Sequence, residues 1–114
     1  MPATIERGEA VYLSSLIPGS VLDVVTKHHR YRIEYLGGEE VKISGHPTIC
    51  PTPVVARLLG SADDAGPVEA GFVRSGMHLV FRRVYEYLPV ITTSAITDVR
   101  VNQPYSNPSS DAKE

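Results

Sequence analysis

The sequence predicts an all-β domain, a small antiparallel β-roll or barrel of about six to seven short strands. Segments rich in β-branched residues recur roughly every 8 to 12 residues, and their polarity alternates with a period of two. Nine glycines and nine prolines among 114 residues supply the turns between these segments. No segments typical of crossover helices separate the strands, which argues against a parallel α/β sheet.

The chain length and charge fit one ordinary soluble domain. A chain of 114 residues can bury a single core without disulfides. We expect a β-rich domain over residues 20–101, preceded by an N-terminal segment (1–19) and followed by a tail (102–114) whose prolines and serines predict disorder. The formal net charge of -2 excludes a strongly basic nucleic-acid coat and an acidic disordered chain.

The N-terminal segment predicts a short helix over residues 5–17, because its larger apolar residues fall within one broad helical face. Thr4 can cap the first turn, and Pro18 with Gly19 ends the helix. A strand is the alternative, since residues 11–13 also suit an extended backbone.

Two strands of a hairpin follow a β-branched strand at residues 21–26. In residues 30–35 the apolar and charged side chains alternate cleanly, and residues 40–44 alternate again. The glycines at 37 and 38 mark the turn between them.

The register of this hairpin depends on whether the loop has an even or an odd number of residues. A two-residue loop would place apolar residues of one strand opposite charged residues of the other. A three-residue loop, residues 37–39, pairs Tyr35 with Val41 and Ile33 with Ile43, so both faces become consistent. We therefore predict the longer loop, with a glycine in the left-handed position of a bulged turn.

The rest of the chain alternates between turns and short strands. Prolines at three positions in residues 45–53 forbid a helix or a central strand there, so we expect an extended connection or an edge. Residues 62–67 form an exposed acidic loop. Strands are expected at residues 54–59, 71–74, 78–83, 90–93 and 96–101.

Several short motifs occur in a recognisable order: Gly45-His46-Pro47, Gly60-Ser61, Gly76-Met77-His78-Leu79-Val80-Phe81 and Thr92-Thr93-Ser94-Ala95-Ile96-Thr97-Asp98-Val99. Over residues 20–101 this order resembles a group of short, uncharacterised bacterial β-rich proteins, and the resemblance implies a fold and no activity. Residues 94–99 are also similar to the last strand of Sm-like RNA-binding barrels. The Pro-rich segment and the acidic loop depart from the Sm-like pattern, in which two motifs lie close together.

Motifs of secretion, membrane insertion and common catalysis are missing from the sequence. Cys50 is the single cysteine, so there is no disulfide framework and no CxxC metal knuckle. The first residues lack an apolar stretch behind a basic start, so we expect no secretory signal there, and the apolar runs are too short to cross a membrane. We therefore expect a cytoplasmic protein without membrane contact. No phosphate-binding loop, nucleophile elbow or zinc-protease helix is present, and we predict no cofactor.

Two basic clusters are candidates for binding RNA or single-stranded nucleic acid. Their members are Lys27, Arg30, Arg32, Arg82 and Arg83. Basic side chains would follow the phosphates while nearby tyrosines stack on bases. The basic side chains and the tyrosines must share one exposed face, whereas Tyr31 falls on the face predicted to be buried. The alternative is a solvated hairpin face of mixed charge.

The histidines and the cysteine form a candidate metal site, which comprises His28, His29, His46, Cys50 and His78. Imidazole and thiolate are donors for zinc, but an extended segment would hold His46 and Cys50 up to about 13 Å apart. We predict no metal ion. We expect Cys50 to be a small buried hydrophobe rather than a nucleophile activated by a histidine.

These observations favour a non-catalytic module that binds a partner protein or a second copy of itself. An antiparallel roll exposes strand edges that can pair with another chain. Residues 82–88 combine tyrosines, a leucine and charges, a composition typical of protein contacts. RNA or single-stranded nucleic-acid binding by an Sm-like barrel is the alternative, and the salt dependence of binding separates the two hypotheses.

Overall fold

The computed structural model describes residues 5–8, 10–64, 66–83 and 90–103. These residues form ten strands and one turn of 3-10 helix, Leu13–Ser15. The strands are β1 Ile5–Gly8, β2 Ala10–Tyr12, β3 Val21–Thr26, β4 Arg30–Gly37, β5 Glu40–Ser44, β6 Val54–Ala62, β7 Val68–Ala70, β8 Phe72–Arg74, β9 His78–Arg83 and β10 Ile91–Asn102.

Six of the strands close an antiparallel barrel. Their order around the ring is β10-β3-β4-β5-β6-β9, and β9 pairs again with β10. Two strands extend the sheet beyond the ring, β1 along β10 and β7 along β6, while β2 and β8 form a separate ribbon. The predicted all-β antiparallel barrel is confirmed. Because the first ring strand pairs with the last, the ring itself has no open edge.

Strand β10 corrects the prediction of two strands at residues 90–93 and 96–101. It is one continuous strand that changes partners, pairing with β9 first and with β3 and β1 later. Thr92 lies opposite Val80 and Ala95 opposite His78, so β10 has one more residue than β9 between these pairs. Such a bulge bends a strand without ending it. The small polar residues that suggested a turn mark this bulge.

The helix predicted over residues 5–17 is wrong. Residues Ile5–Gly8 pair with the last residues of β10, and β2 pairs with β8, where Val11 lies opposite Val73. Gly8 and Val11 are weak helix formers, so pairing with existing strands prevails over a marginal helix. The only helical geometry in the described part of this segment is the single 3-10 turn.

The hairpin of β4 and β5 confirms the register obtained from parity. Tyr35 lies opposite Val41 and Ile33 opposite Ile43. The structure places the extra residue slightly differently from the prediction, because Gly37 pairs with Glu40 and the bulge falls just before it. The left-handed residue is Gly38, with φ of 61°.

The core fills the interior of the barrel and continues beneath the N-terminal turn. Its largest fully buried side chains are Tyr31, Phe81, Leu22, Ile33, Ile43, Leu58, Leu79 and Ile96. Ring strands show the alternation that a barrel requires, as in β3 and β5, where every second side chain is buried. Leu13 and Leu16 join this core.

Parts of two predictions lie outside the described ranges. Residues 104–114 of the predicted tail are among them, as are the tyrosines at positions 85 and 87. Asn102, placed in the tail by the sequence, is the last residue of β10. Within the described ranges, no helix has the length and apolar character needed to cross a membrane.

Candidate functional site

One end of the barrel gathers three segments that are distant in sequence. Strand β3 ends and β4 begins there, β5 ends there, and β10 starts there. The β3–β4 turn is held against β10 by backbone hydrogen bonds: Lys27 N–H donates to Ala95 O at 3.0 Å, and His28 N–H donates to Ser94 Oγ at 3.3 Å. This end therefore brings together residues 27–31, 45–50 and 91–94.

The Pro-rich connection turns at this end rather than extending, which corrects the sequence prediction. Cys50 N–H donates to His46 O at 3.0 Å, and Gly45 N–H donates to Cys50 O at 2.8 Å. Gly45 has φ of 125°, and a Cβ at this position would lie 2.1 Å from Arg30 O. Only glycine allows this close approach, so Gly45 seats the turn on the start of β4.

The turn places imidazole rings side by side. The centroids of His29 and His46 are 4.4 Å apart, and those of His28 and His29 are 6.5 Å apart. His29 also meets the edge of Tyr31 at 6.1 Å, and Tyr31 meets Phe81 at 6.0 Å. A continuous row of rings thus runs from the surface into the core and fixes the position of His29.

Between these rings and the start of β10 lies a groove of about 150 Å³. We call it the histidine groove; its lining residues are His28, His29, Tyr31, His46, Ile49, Ile91, Thr92, Thr93 and Ser94. Isoleucine side chains and imidazole faces supply apolar contact, and the threonines and Ser94 add hydroxyl groups. Sequence spacing grouped the three histidines only as metal ligands and did not indicate the contribution of residues 91–94.

His46 has a defined protonation state in the folded protein. Its Nδ1 accepts hydrogen bonds from Thr48 N–H and Ile49 N–H, both at 3.1 Å. In the neutral ring the proton therefore resides on Nε2. Burial lowers the pKa of His46 below its ordinary 6.5, and the neighbouring His29 lowers it further.

The other histidine predicted as a ligand, His78, lies in a different environment. Its Nδ1 lies 2.7 Å from Thr93 O, and its Nε2 lies 2.5 Å from Asp64 Oδ1. Both partners are acceptors, so this arrangement favours the doubly protonated ring, in which both nitrogens donate. The hydrogen bond with Asp64 raises the pKa of His78, and the bond with Thr93 adds to this effect.

Cys50 is fully buried, as the sequence predicted. Burial raises the pKa of its thiol, although a backbone hydrogen bond from the His46 turn and the charge of Arg83 oppose the shift. The thiol is therefore protonated at neutral pH and closed off from solvent, an environment that does not activate a nucleophile. Among the residues that the structure describes, no group of three or more histidine, cysteine or acidic side chains could hold a metal ion.

The five basic residues predicted to bind nucleic acid do not share one surface. Arg30 and Arg32 are exposed on β4, whereas Arg82 is exposed on β9, three strands away in either direction around the six-stranded ring. Arg83 shares the inward face of β9 with Phe81, and its Nη1 donates to Ile49 O at 3.5 Å.

Lys27 and Arg30 are the two members of the set that flank the histidine groove. Both are exposed and immediately neighbour His28 and His29 in the chain. Arg32 lies farther along β4, opposite Asp23 of β3, so an acidic neighbour offsets its charge. Tyr31, the nearest tyrosine, is 1% exposed and its ring cannot stack on a base.

Comparison with protein-family models, with curated proteins and with solved structures gives no match to this chain. The geometry of the histidine groove is therefore the basis for assigning a function.

Proposed function

We propose that this protein is a small, non-catalytic β-barrel module of the cytoplasm that binds a partner protein through the histidine groove. The observation that supports this proposal is the convergence of three distant segments on a groove whose polar groups are incompletely paired. The rings of His28 and His29 form no hydrogen bond within the described residues, although both line the groove. A concave site with apolar walls and a few unpaired polar groups is typical of binding sites.

The proposal includes no catalytic step, because His78 and Cys50 are engaged in the fold. Both ring nitrogens of His78 lie against acceptors, an arrangement that does not free it as a general base. The thiol of Cys50 is fully buried. In the described part of the chain, therefore, neither candidate reaches solvent in a reactive form.

A protein partner fits the surface better than a nucleic acid does. Single-strand binding needs cations and exposed rings on the same face. Here Arg82 lies across the barrel from Arg30 and Arg32, and Tyr31 is buried. The groove has room for one side chain of a partner, while the surrounding rim can contact its backbone.

Selection from a random peptide library on the full-length protein tests the proposal. We expect enriched sequences whose binding is lost when a bulky side chain fills the groove. Thr92→Trp is the blocking variant, since Thr92 is exposed and lines the groove. Thr97→Trp is its control, because Thr97 is equally an exposed threonine of β10 and lies outside the groove lining.

Fluorescence polarisation with a selected peptide should show a loss of about tenfold or more in affinity for Thr92→Trp, worth about 1.4 kcal/mol. Thr97→Trp should bind as the parent does, and added salt should change the affinity little. The proposal fails if no peptide is enriched or if both variants weaken binding equally. It also fails if a uridine decamer binds in the groove instead, with an affinity that falls steeply with salt.

A further inference from the structure

We propose that the histidine groove binds a carboxylate group, presented by an acidic side chain of the partner. This inference rests on the proposed function and specifies the chemistry of the same site. It concerns the ligand class, which the shape of the groove alone does not determine.

The first argument is the excess of hydrogen-bond donors in the groove. His46 presents an Nε2–H, because its Nδ1 is occupied by two backbone N–H groups. The hydroxyl oxygen of Ser94 accepts from His28 N–H, which leaves its own O–H able to donate to a ligand. The rings of His28 and His29 add donors that bond to nothing else in the described residues.

The second argument is charge. None of the nine lining residues is acidic, whereas two cations, Lys27 and Arg30, flank the groove in the chain. The nearby acidic residues of β3 and β10 are opposed by cations of their own: Asp23 lies opposite Arg32, and Asp98 Oδ2 accepts from Arg100 Nε at 3.2 Å. An anion entering the groove would therefore meet donors and positive charge.

The third argument concerns the acidic protons beside the groove. Burial raises the pKa of Tyr31 to about 12, with a contribution from Cys50, and burial also raises the pKa of the Cys50 thiol. Both groups are neutral throughout the physiological range, so neither places a negative charge beside an entering carboxylate.

His46 is held as a neutral donor. Its Nδ1 accepts two backbone N–H groups, and burial and the adjacent His29 also disfavour its charged form. The Nε2–H therefore stays available to donate to a carboxylate. Affinity for a glutamate peptide should fall as the pH drops through the range near 4.3, where the glutamate itself is protonated.

The experiment compares two pentapeptides, acetyl-Gly-Gly-Glu-Gly-Gly-amide and its glutamine counterpart, by chemical-shift titration of the full chain. We expect the glutamate peptide to bind more tightly. Its affinity should fall as the pH drops through the range near 4.3, where the glutamate is protonated. The glutamine peptide should show no such fall.

The decisive variant is His46→Asn. An asparagine side-chain oxygen can accept from backbone N–H groups farther along the chain, so it preserves the turn while removing the ring and its Nε2–H donor. We expect this variant to lose most of its affinity for the glutamate peptide. Arg32→Ala, which removes an exposed cation outside the groove lining, should retain that affinity.

Three outcomes overturn the inference: equal binding of the two pentapeptides at neutral pH, an unchanged affinity for the glutamate peptide in His46→Asn, or displacement of the glutamate peptide by inorganic phosphate at equal concentration. The third would assign the groove to phosphate groups rather than carboxylates. In each case the peptides selected from the library decide separately whether the protein-binding function stands, because their binding does not depend on a carboxylate preference.

Discussion

His46 and His78 illustrate how one barrel shifts the pKa values of two histidines in opposite directions. Two backbone N–H groups donate to His46 Nδ1, and the pKa of His46 is lowered. A backbone carbonyl and a carboxylate contact the two ring nitrogens of His78, and the pKa of His78 is raised. The surroundings of the first ring favour its neutral form, and those of the second favour its charged form.

The difference lies in what each ring bonds to. His78 links Asp64 to Thr93 of β10 and thereby fastens the acidic loop to the barrel. His46 uses Nδ1 to shape its own turn, and its Nε2 forms no hydrogen bond with a described residue. Sequence spacing does not distinguish these environments, because they depend on whether neighbouring backbone groups present N–H or C=O.

The largest effect on stability should come from a core substitution, because it weakens the barrel that holds both His46 and His78. Ile33→Ala removes a fully buried side chain of β4, and we expect the free energy of unfolding to fall by about 2 to 5 kcal/mol. Urea denaturation measures this loss. Val68→Ala on exposed β7 is the control and should change stability by less than about 0.5 kcal/mol. A loss that small for Ile33→Ala would contradict the register of the hairpin.

A substitution beside His46 should have a smaller effect on stability and should leave the surroundings of His78 unchanged. Gly45→Ala forces a left-handed residue to carry a Cβ and drives that Cβ against Arg30 O, so the turn bearing His46 must shift. We expect a loss of more than about 1 kcal/mol, with changed ring signals for His29 and His46 and unchanged signals for His78. Gly38→Ala is the matched control, because φ is also positive there but no atom lies within 4 Å of the added Cβ. Equal losses in the two variants would show that the contact with β4 contributes nothing.

The smallest effect concerns the charge on His78. Asp64→Asn removes the main cause of its raised pKa, so the NMR titration of His78 should move to lower pH while that of His46 stays in place. The folded pKa lies above the unfolded value, so this pair stabilises the fold fully below about pH 6.5 and the effect is lost as the pH rises through the folded pKa. The stability change should be small because Asp64 is largely exposed and solvent screens the pair. An unshifted His78 titration would contradict the assigned hydrogen bond.

The contribution of His46 to stability changes with pH in the opposite direction. Its folded pKa lies below the unfolded value, so its neutral state contributes stability above about pH 6.5 and that contribution is lost as the pH falls through the folded pKa. The two histidines therefore affect stability at opposite ends of the neutral range.

The local alternation of apolar and charged residues is sufficient to predict much of the fold. Tyr35 and Ile33 alternate with charges, and their pairing with Val41 and Ile43 follows from parity alone. The bounds of β3 and β9 agree with those predicted. Strand β10 is split in the prediction because a bulge and a turn use the same small polar residues, and only pairing with a second strand distinguishes them.

The candidate site is only partly predictable. The burial of Cys50 and the importance of the histidines can be inferred from residue type, but their grouping cannot. The 4.4 Å contact of His29 with His46 depends on a turn closed by backbone hydrogen bonds and on the approach of Gly45 to β4. Closure of the ring then adds residues 91–94 to the groove, a long-range effect that no local pattern encodes.

The most direct test of this account is an NMR pH titration of His46 and His78 in the full-length protein, with and without the glutamate pentapeptide. We expect the free protein to show a His46 pKa below 6.5 and a His78 pKa above it. Saturating peptide should shift the Nε2 resonance of His46 and leave that of His78 unchanged. A His46 resonance that does not move while the peptide is bound, or a shift confined to His78, would contradict the assignment of the histidine groove as the binding site.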